Sequence, residues 1–181
     1  METEDYLIVV DFEATCDDGG RIQPHEMEII EIGAAKVDVE TGEVLDTFQA
    51  FVQPIHRPTL SAFCKRLTNI KQRDVDLAQT FAAVLDAWKA WLGHPLWTYA
   101  SWGDFDRAIL ERTLEEGGEE AIFANHINLK GLAKSRFDLK KTGILEALRH
   151  FGLNAEGQHH RALDDVLNIC KLIPFLGIQT Q

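Results

Sequence analysis

Two acids, Asp11 and Glu13, follow directly on the apolar run Leu7-Ile8-Val9-Val10. Four apolar, mostly β-branched residues in succession read as a strand buried on both faces. Residues two apart on a strand project to the same side. The two carboxylates therefore leave the end of a buried strand together, and at that spacing they repel. A shared proton or a divalent cation relieves the repulsion, and hard oxygen donors suit Mg²⁺ or Mn²⁺. The bland alternative is a strand end turning into solvent, where acids are common.

Acids converge at two further places. The strand-like Leu96-Trp97-Thr98-Tyr99-Ala100 runs through Ser101-Trp102-Gly103-Asp104 into Phe105-Asp106. This is a strand-to-helix turn, where α/β proteins gather active-site groups. Capping explains Asp104, and helix-dipole stabilisation would by itself account for Asp106. Near the C-terminus, Gly157-Gln158-His159-His160-Arg161-Ala162-Leu163-Asp164-Asp165 leads from a glycine loop into a helix. Asp165 lies beside the buried stripe of Val166, Ile169 and Cys170. A buried carboxylate there needs a partner. His160, just ahead of the helix, reaches the same region, although a lone histidine is more often a surface or satisfied core residue.

The elements that must position these residues follow from periodicity and turn chemistry. After the first strand, 16–24 reads as a loop turning at Asp17-Asp18-Gly19-Gly20. Segments 28–39 and 44–52 read as strands joined by a hairpin at Thr41-Gly42-Glu43, completing an antiparallel meander. Helices are expected over 58–67, 80–92 (capped by Thr80, broken by Gly93-His94-Pro95), 105–117 and 130–137. A further helix is expected from a Thr142 cap to Phe151, stopped by Gly152, and a last one over about 161–172, before Pro174. Short strands are placed at 96–100 and 127–129. Strands first, then strands alternating with helices, imply a mixed sheet flanked by helices.

The 181 residues fit one domain, 1–181, with 45% hydrophobic and 26% charged residues. No apolar run is long enough to cross a bilayer, and the acidic start Met-Glu-Thr-Glu-Asp lacks the features of a signal peptide. A soluble, cytoplasmic protein is the expectation. Cys16, Cys64 and Cys170 are scattered, as expected of reduced thiols. A net charge of −11 argues against coating nucleic acid by charge alone. It leaves room for an enzyme that grips a phosphodiester through metals, with some of its acids as ligands.

Together these motifs resemble the DEDDh 3′–5′ exonucleases of the DnaQ-like superfamily. Asp11-Phe12-Glu13, Phe105-Asp106 and His160-x-Ala162-x-x-Asp165 stand in the expected order and separation. The closer resemblance is to the Eri-type group, which trims RNA 3′ ends and includes the 3′ histone-mRNA exonuclease. It rests on the stretches 10–16, 28–33, 60–64, 67–70 and 159–165, and covers almost the whole chain. Asn69 departs from the family's usual glycine, but asparagine tolerates a left-handed backbone. The RNA-binding domain that precedes the nuclease in some relatives is absent from this sequence.

The resemblance implies a ribonuclease H-like α/β fold, a five-stranded mixed sheet flanked by α-helices. It implies that Asp11, Glu13, Asp106 and Asp165 bind two Mg²⁺ or Mn²⁺ ions, with His160 as general base. It implies hydrolysis from the 3′ end of single-stranded RNA, 3′ overhangs or DNA, releasing nucleoside 5′-monophosphates. Thr15 is implied at the terminal sugar, and Phe63 and Phe105 about the terminal base. Core packing is the alternative for each phenylalanine, and capping of the next turn the alternative for Thr68 at the nucleotide. The basic cluster Lys130, Lys134, Arg136, Lys140 and Lys141 either guides the phosphate backbone or is a solvated helix face. Nucleic acid is the expected partner, with no membrane. Two rivals stand beside this: a non-catalytic binding module on the same fold, and a metal-independent hydrolase with Cys16 as nucleophile.

Overall fold

The computed structural model describes residues 6–93, 97–139 and 142–178. Five strands form one sheet: β1 (Tyr6–Ala14), β2 (Ile29–Asp38), β3 (Val44–Phe51), β4 (Trp97–Ser101) and β5 (Phe123–Asn128). Their order is β3-β2-β1-β4-β5. β1, β2 and β3 pair antiparallel, whereas β4 lies parallel to β1 and β5 parallel to β4. The sheet is therefore mixed and five-stranded, as expected, with β1 in the middle.

Eight α-helices are described: α1 (Ala62–Thr68), α2 (Gln72–Asp76), α3 (Phe81–Leu92), α4 (Phe105–Gly117), α5 (Leu129–Phe137), α6 (Ile144–His150), α7 (Ala162–Cys170) and α8 (Ile173–Leu176). None is long and apolar enough to cross a membrane. The alternation of β1 divides the core. Ile8, Val10 and Phe12 pack with Val84, Leu85 and Trp88 of α3 and with Ile109 and Leu110 of α4. Leu7 and Val9 face the other way, against Ala133 of α5, Leu148 of α6 and Val166 and Ile169 of α7. Asp11 and Glu13 continue this second face, so the acids begin where the core beneath α7 ends.

α7 approaches the sheet at glycine. Gly33 of β2 pairs with Asp11, and a β-carbon there would stand 2.6 Å from the Ala162 carbonyl oxygen. Glycine therefore sets the closeness of helix to sheet.

Several expected boundaries move. The helix placed at 58–67 starts at Ala62, because Ser61 Oγ caps it by accepting from Cys64 N at 2.9 Å. The strand placed at 127–129 is β5, Phe123–Asn128, and Leu129 already belongs to α5. The N-cap of α6 is Gly143, not Thr142, and the helix ends at His150. The last helix expected over about 161–172 is α7, Ala162–Cys170; the unexpected α8 follows it, with Pro174 in its first turn, where a missing N–H costs nothing. The 3₁₀ turn at Pro24–Glu26 and α2 lie where no helix is expected. Thr80 takes the N-cap position of α3 without a side-chain cap bond. Asn69 does adopt the left-handed conformation, at φ 57°. His94, Pro95, Leu96, Lys140 and Lys141 lie outside the described residues.

Candidate active site

Asp11, Glu13 and Asp165 offer oxygens that all lie within 4.8 Å of one another. The first two come from the rigid centre of the sheet and the third from the first turn of α7. Asp106, in the first turn of α4, reaches the same strand end, where its Oδ1 accepts from Phe12 N at 3.0 Å. Glu13, Asp106 and Asp165 are 7%, 5% and 3% exposed. Among the described residues neither Asp11 nor Glu13 has a cationic partner within 4 Å. Burial, then the charges of Asp106, Glu13 and Asp165, hold the Asp11 carboxyl well above the usual carboxylate range. Burial, then Asp165, pushes Glu13 up to about 8. Burial also lifts Asp106, to about 6, against the pull of its Phe12 N–H bond. Crowded, desolvated carboxylates without a protein counter-charge fit hard divalent cations.

Both histidines of the motif meet Asp165. His159 Nδ1 lies 2.7 Å from Asp165 Oδ1, and His160 N donates to Asp165 Oδ2 at 2.9 Å. The rings are 4.0 Å apart, centre to centre. His160 holds a left-handed backbone, φ 64°, which a non-glycine residue adopts only when its surroundings impose it. Burial, then the neighbouring His159, lowers the His160 pKa, so its imidazole is neutral and able to accept a proton near pH 7.

The cleft in front of these groups holds about 330 Å³ and is walled by Leu67, Trp102, Phe105 and Ile144. That lies at the lower end of the roughly 300–1,000 Å³ usual for small-molecule sites. Phe105 is 46% exposed there. Phe63 is half-buried on α1 and is not among the residues lining the cleft, where Leu67 of the same helix stands. The hydroxyls of Thr15 and Thr68 both make internal bonds. Thr15 Oγ1 accepts from Glu28 N at 2.9 Å, and Thr68 Oγ1 donates to Cys64 O at 2.9 Å and accepts from Ile70 N at 3.1 Å. Thr68 thus takes the capping role. Asp104 is not a side-chain cap; its carboxylate accepts from Asn128 Nδ2 at 2.7 Å and pairs with Arg107. Of the basic cluster, Lys130, Lys134 and Arg136 are exposed on α5. A second hollow of about 350 Å³, beside Met27, Pro54 and Phe81, includes no candidate metal cluster among the described residues.

The rival nucleophile fares poorly. A hydrogen bond with Cys64, then burial, drives the Cys16 thiol far up, away from the thiolate a nucleophile needs.

Two residues beside the acids were not singled out for roles. His159 stood within the quoted motif. Glu31 is wholly buried on β2, paired across from Glu13, and bound by Arg161, Gln49 and the amide of Ala162. A lone acid inside the apolar run 29–37 was its signal.

A mixed sheet of this order, with acids from its middle strand and from two helices meeting at one end, defines a DEDDh nuclease of ribonuclease H-like fold. The RNase_T (Exonuclease) family matches residues 8–173; the chain belongs to that family. It is similar to human ERI1 exoribonuclease 2, at 33% identity over 93% of this chain and 28% of that protein. It is similar to the Drosophila melanogaster 3′-5′ exonuclease Snipper, at 29% identity over 96% of this chain and 71% of that one. The chain thus spans little more than a quarter of the first relative and less than three quarters of the second. Among solved structures, the nuclease domain of 3′hExo, a DEDDh family member bound to rAMP, superposes with a TM-score of 0.86 at 30% identity, over 97% of this chain and 92% of that one.

Proposed function

We propose that residues 1–181 form one exonuclease domain that hydrolyses RNA from its 3′ end, with Mg²⁺ or Mn²⁺ as cofactor and nucleoside 5′-monophosphates as products. The meeting of Asp11, Glu13 and Asp165 oxygens within 4.8 Å, beside a histidine, carries this reading. The ribonucleotide bound to 3′hExo favours RNA over DNA.

Asp11, Glu13, Asp106 and Asp165 would hold two divalent ions. Bound there, such ions supply Lewis acidity to the scissile phosphate and offset its charge. The chain's own residues do the rest. Asp11 and Glu13 keep their places because β1 pairs with β2 on through Ala14 and is anchored to β4 at Ile8 and Val9. Phe12 N fixes the Asp106 carboxylate. His160, neutral near pH 7, takes the proton of the attacking water as general base. Phe105 offers an exposed ring on which a terminal base of any identity can stack. Lys130, Lys134 and Arg136, exposed on α5, would attract the phosphate backbone.

The test is incubation of 5′-labelled RNA with the protein and Mg²⁺ or Mn²⁺. A ladder shortening from the 3′ end is expected, lost in EDTA and in folded Asp11→Asn. Full-length RNA with both metals, or an active Asp11→Asn, would refute the assignment.

A further inference from the structure

Asp165 and His160 are not on the rigid sheet; they belong to α7 and the loop before it. Asp165 stands in a crowded, desolvated cluster with Asp11 and Glu13, where carboxyl groups resist close approach, so something must hold α7 down. Glu31 does this at three points. Its Oε2 accepts from Ala162 N, the first amide of α7, at 3.2 Å and from Arg161 Nε at 3.1 Å; its Oε1 accepts from an Arg161 terminal nitrogen at 2.9 Å. Gln49 of β3 donates to Oε1 at 2.7 Å and closes the set. Gly33, two residues along the same face of β2, admits the Ala162 backbone at a distance no side chain would allow. The contact thus fixes both the spacing and the orientation of the first turn of α7.

We propose that Glu31 is a positioning residue. Its buried carboxylate, neutralised by Arg161, sets where Asp165 and His160 stand relative to Asp11 and Glu13. The neutralisation is essential, because Glu31 is the strand partner of Glu13 and an unpaired charge there would add to the crowding of the acids. The same bonds withdraw Arg161 from substrate. Its guanidinium, which by its place next to His160 would pass for a phosphate ligand, is forked onto Glu31 and lies 5.4 Å over the ring of Phe51. Groups that orient metal ligands through hydrogen bonds commonly change metal affinity by about 10–100-fold when replaced.

This inference rests on the reading of the cleft as a metal-dependent nuclease site, and the test separates the two. Mn²⁺ binding to metal-free wild type, Glu31→Gln and Arg161→Lys is measured by calorimetry, with melting temperatures alongside; kcat and KM are measured on a 5′-labelled RNA. In Glu31→Gln that is folded at the assay temperature, Mn²⁺ is expected to bind about 10-fold or more weakly, with kcat falling in parallel and KM changing less than kcat. A purely structural role would lower the melting temperature and leave Mn²⁺ affinity and kcat of the folded protein unchanged. Wild-type Mn²⁺ affinity in folded Glu31→Gln overturns the proposal. If Glu31→Gln does not fold, Arg161→Lys decides, since it keeps the charge and loses the fork: weakened Mn²⁺ binding supports the proposal and wild-type binding overturns it. Mn²⁺ binding by a wild type that leaves RNA intact sinks the exonuclease reading alone, and the binding comparison still decides the role of Glu31.

Discussion

Without its ions, the protein should lose stability as the solution turns from mildly acidic to mildly alkaline. The folded protein holds the Glu13 proton up to about pH 8, against 4.5 for the free side chain. It holds the Asp106 proton to about 6, against 3.8. A carboxyl raised in this way binds more protons folded than unfolded, so the free energy of unfolding falls with rising pH. For Glu13 the stability is complete below about pH 4.5, shrinks through 5–7 and is gone above about 8. At about 1.4 kcal/mol per tenfold displacement of the proton equilibrium, the loss from Glu13 alone reaches several kcal/mol. For a protein of this size 1 kcal/mol moves Tm by about 2–4 °C, so a fall of about 10 °C between pH 5 and pH 8 is expected. The assay is thermal unfolding in EDTA across that range, in parallel with Glu13→Gln. The variant should show a shallower fall, left by Asp11 and Asp106, and exceed wild type at pH 8. Mn²⁺ at about one hundred times its Kd should return roughly 2–3 kcal/mol to the wild type at pH 8. A wild-type Tm that is flat with pH, or a Glu13→Gln protein with an undiminished slope, refutes this electrostatic account.

Three further outcomes are expected. His160→Ala should lower kcat by about 10²–10⁴, the usual worth of a general base, whereas His159→Ala should act less on kcat than on metal affinity, since its ring holds Asp165; equal losses of kcat in single-turnover assays would contradict this division. Phe105→Ala removes an exposed ring and should raise KM for RNA several-fold with a stability change within about 0.5 kcal/mol; an unchanged KM counts against stacking. Gly33→Ala should cost more than about 3 kcal/mol in denaturant unfolding, because the added carbon meets backbone that cannot turn aside; a midpoint like that of wild type would show that α7 can lift freely.

The parts of the site that could be read from the chain are those governed by short-range periods. Two-residue alternation placed Asp11 and Glu13 on one side of β1, and the helical period placed Asp165 against the body of the protein. The bounds of α4 could be read because Asp104-Phe105-Asp106 and Gly117-Gly118 punctuate both ends. What could not be read depends on partners distant in sequence. The Glu31 carboxylate is satisfied from residues 130 positions away, and no local pattern announces that. His159 and His160 differ only in how the loop turns, which the left-handed backbone at His160 decides. The bonds that Thr15 makes with Glu28, and Thr68 with Cys64 and Ile70, are likewise not announced by residue type. Short helices such as α2 and α8 escaped because four or five residues cannot display a period.

The middle position of β1 bears on how such a molecule fails. Leu7, Ile8, Val9 and Val10 are entirely shielded from water and belong to both halves of the core, so the backbone carrying Asp11 and Glu13 opens only when the whole molecule does. Amide protons of this strand should exchange at the rate of global unfolding, while those of the 157–161 loop exchange sooner. Inactivation by gentle heating would then begin as a reversible drift of His160, with the strand's carboxylates still in register to receive it on cooling.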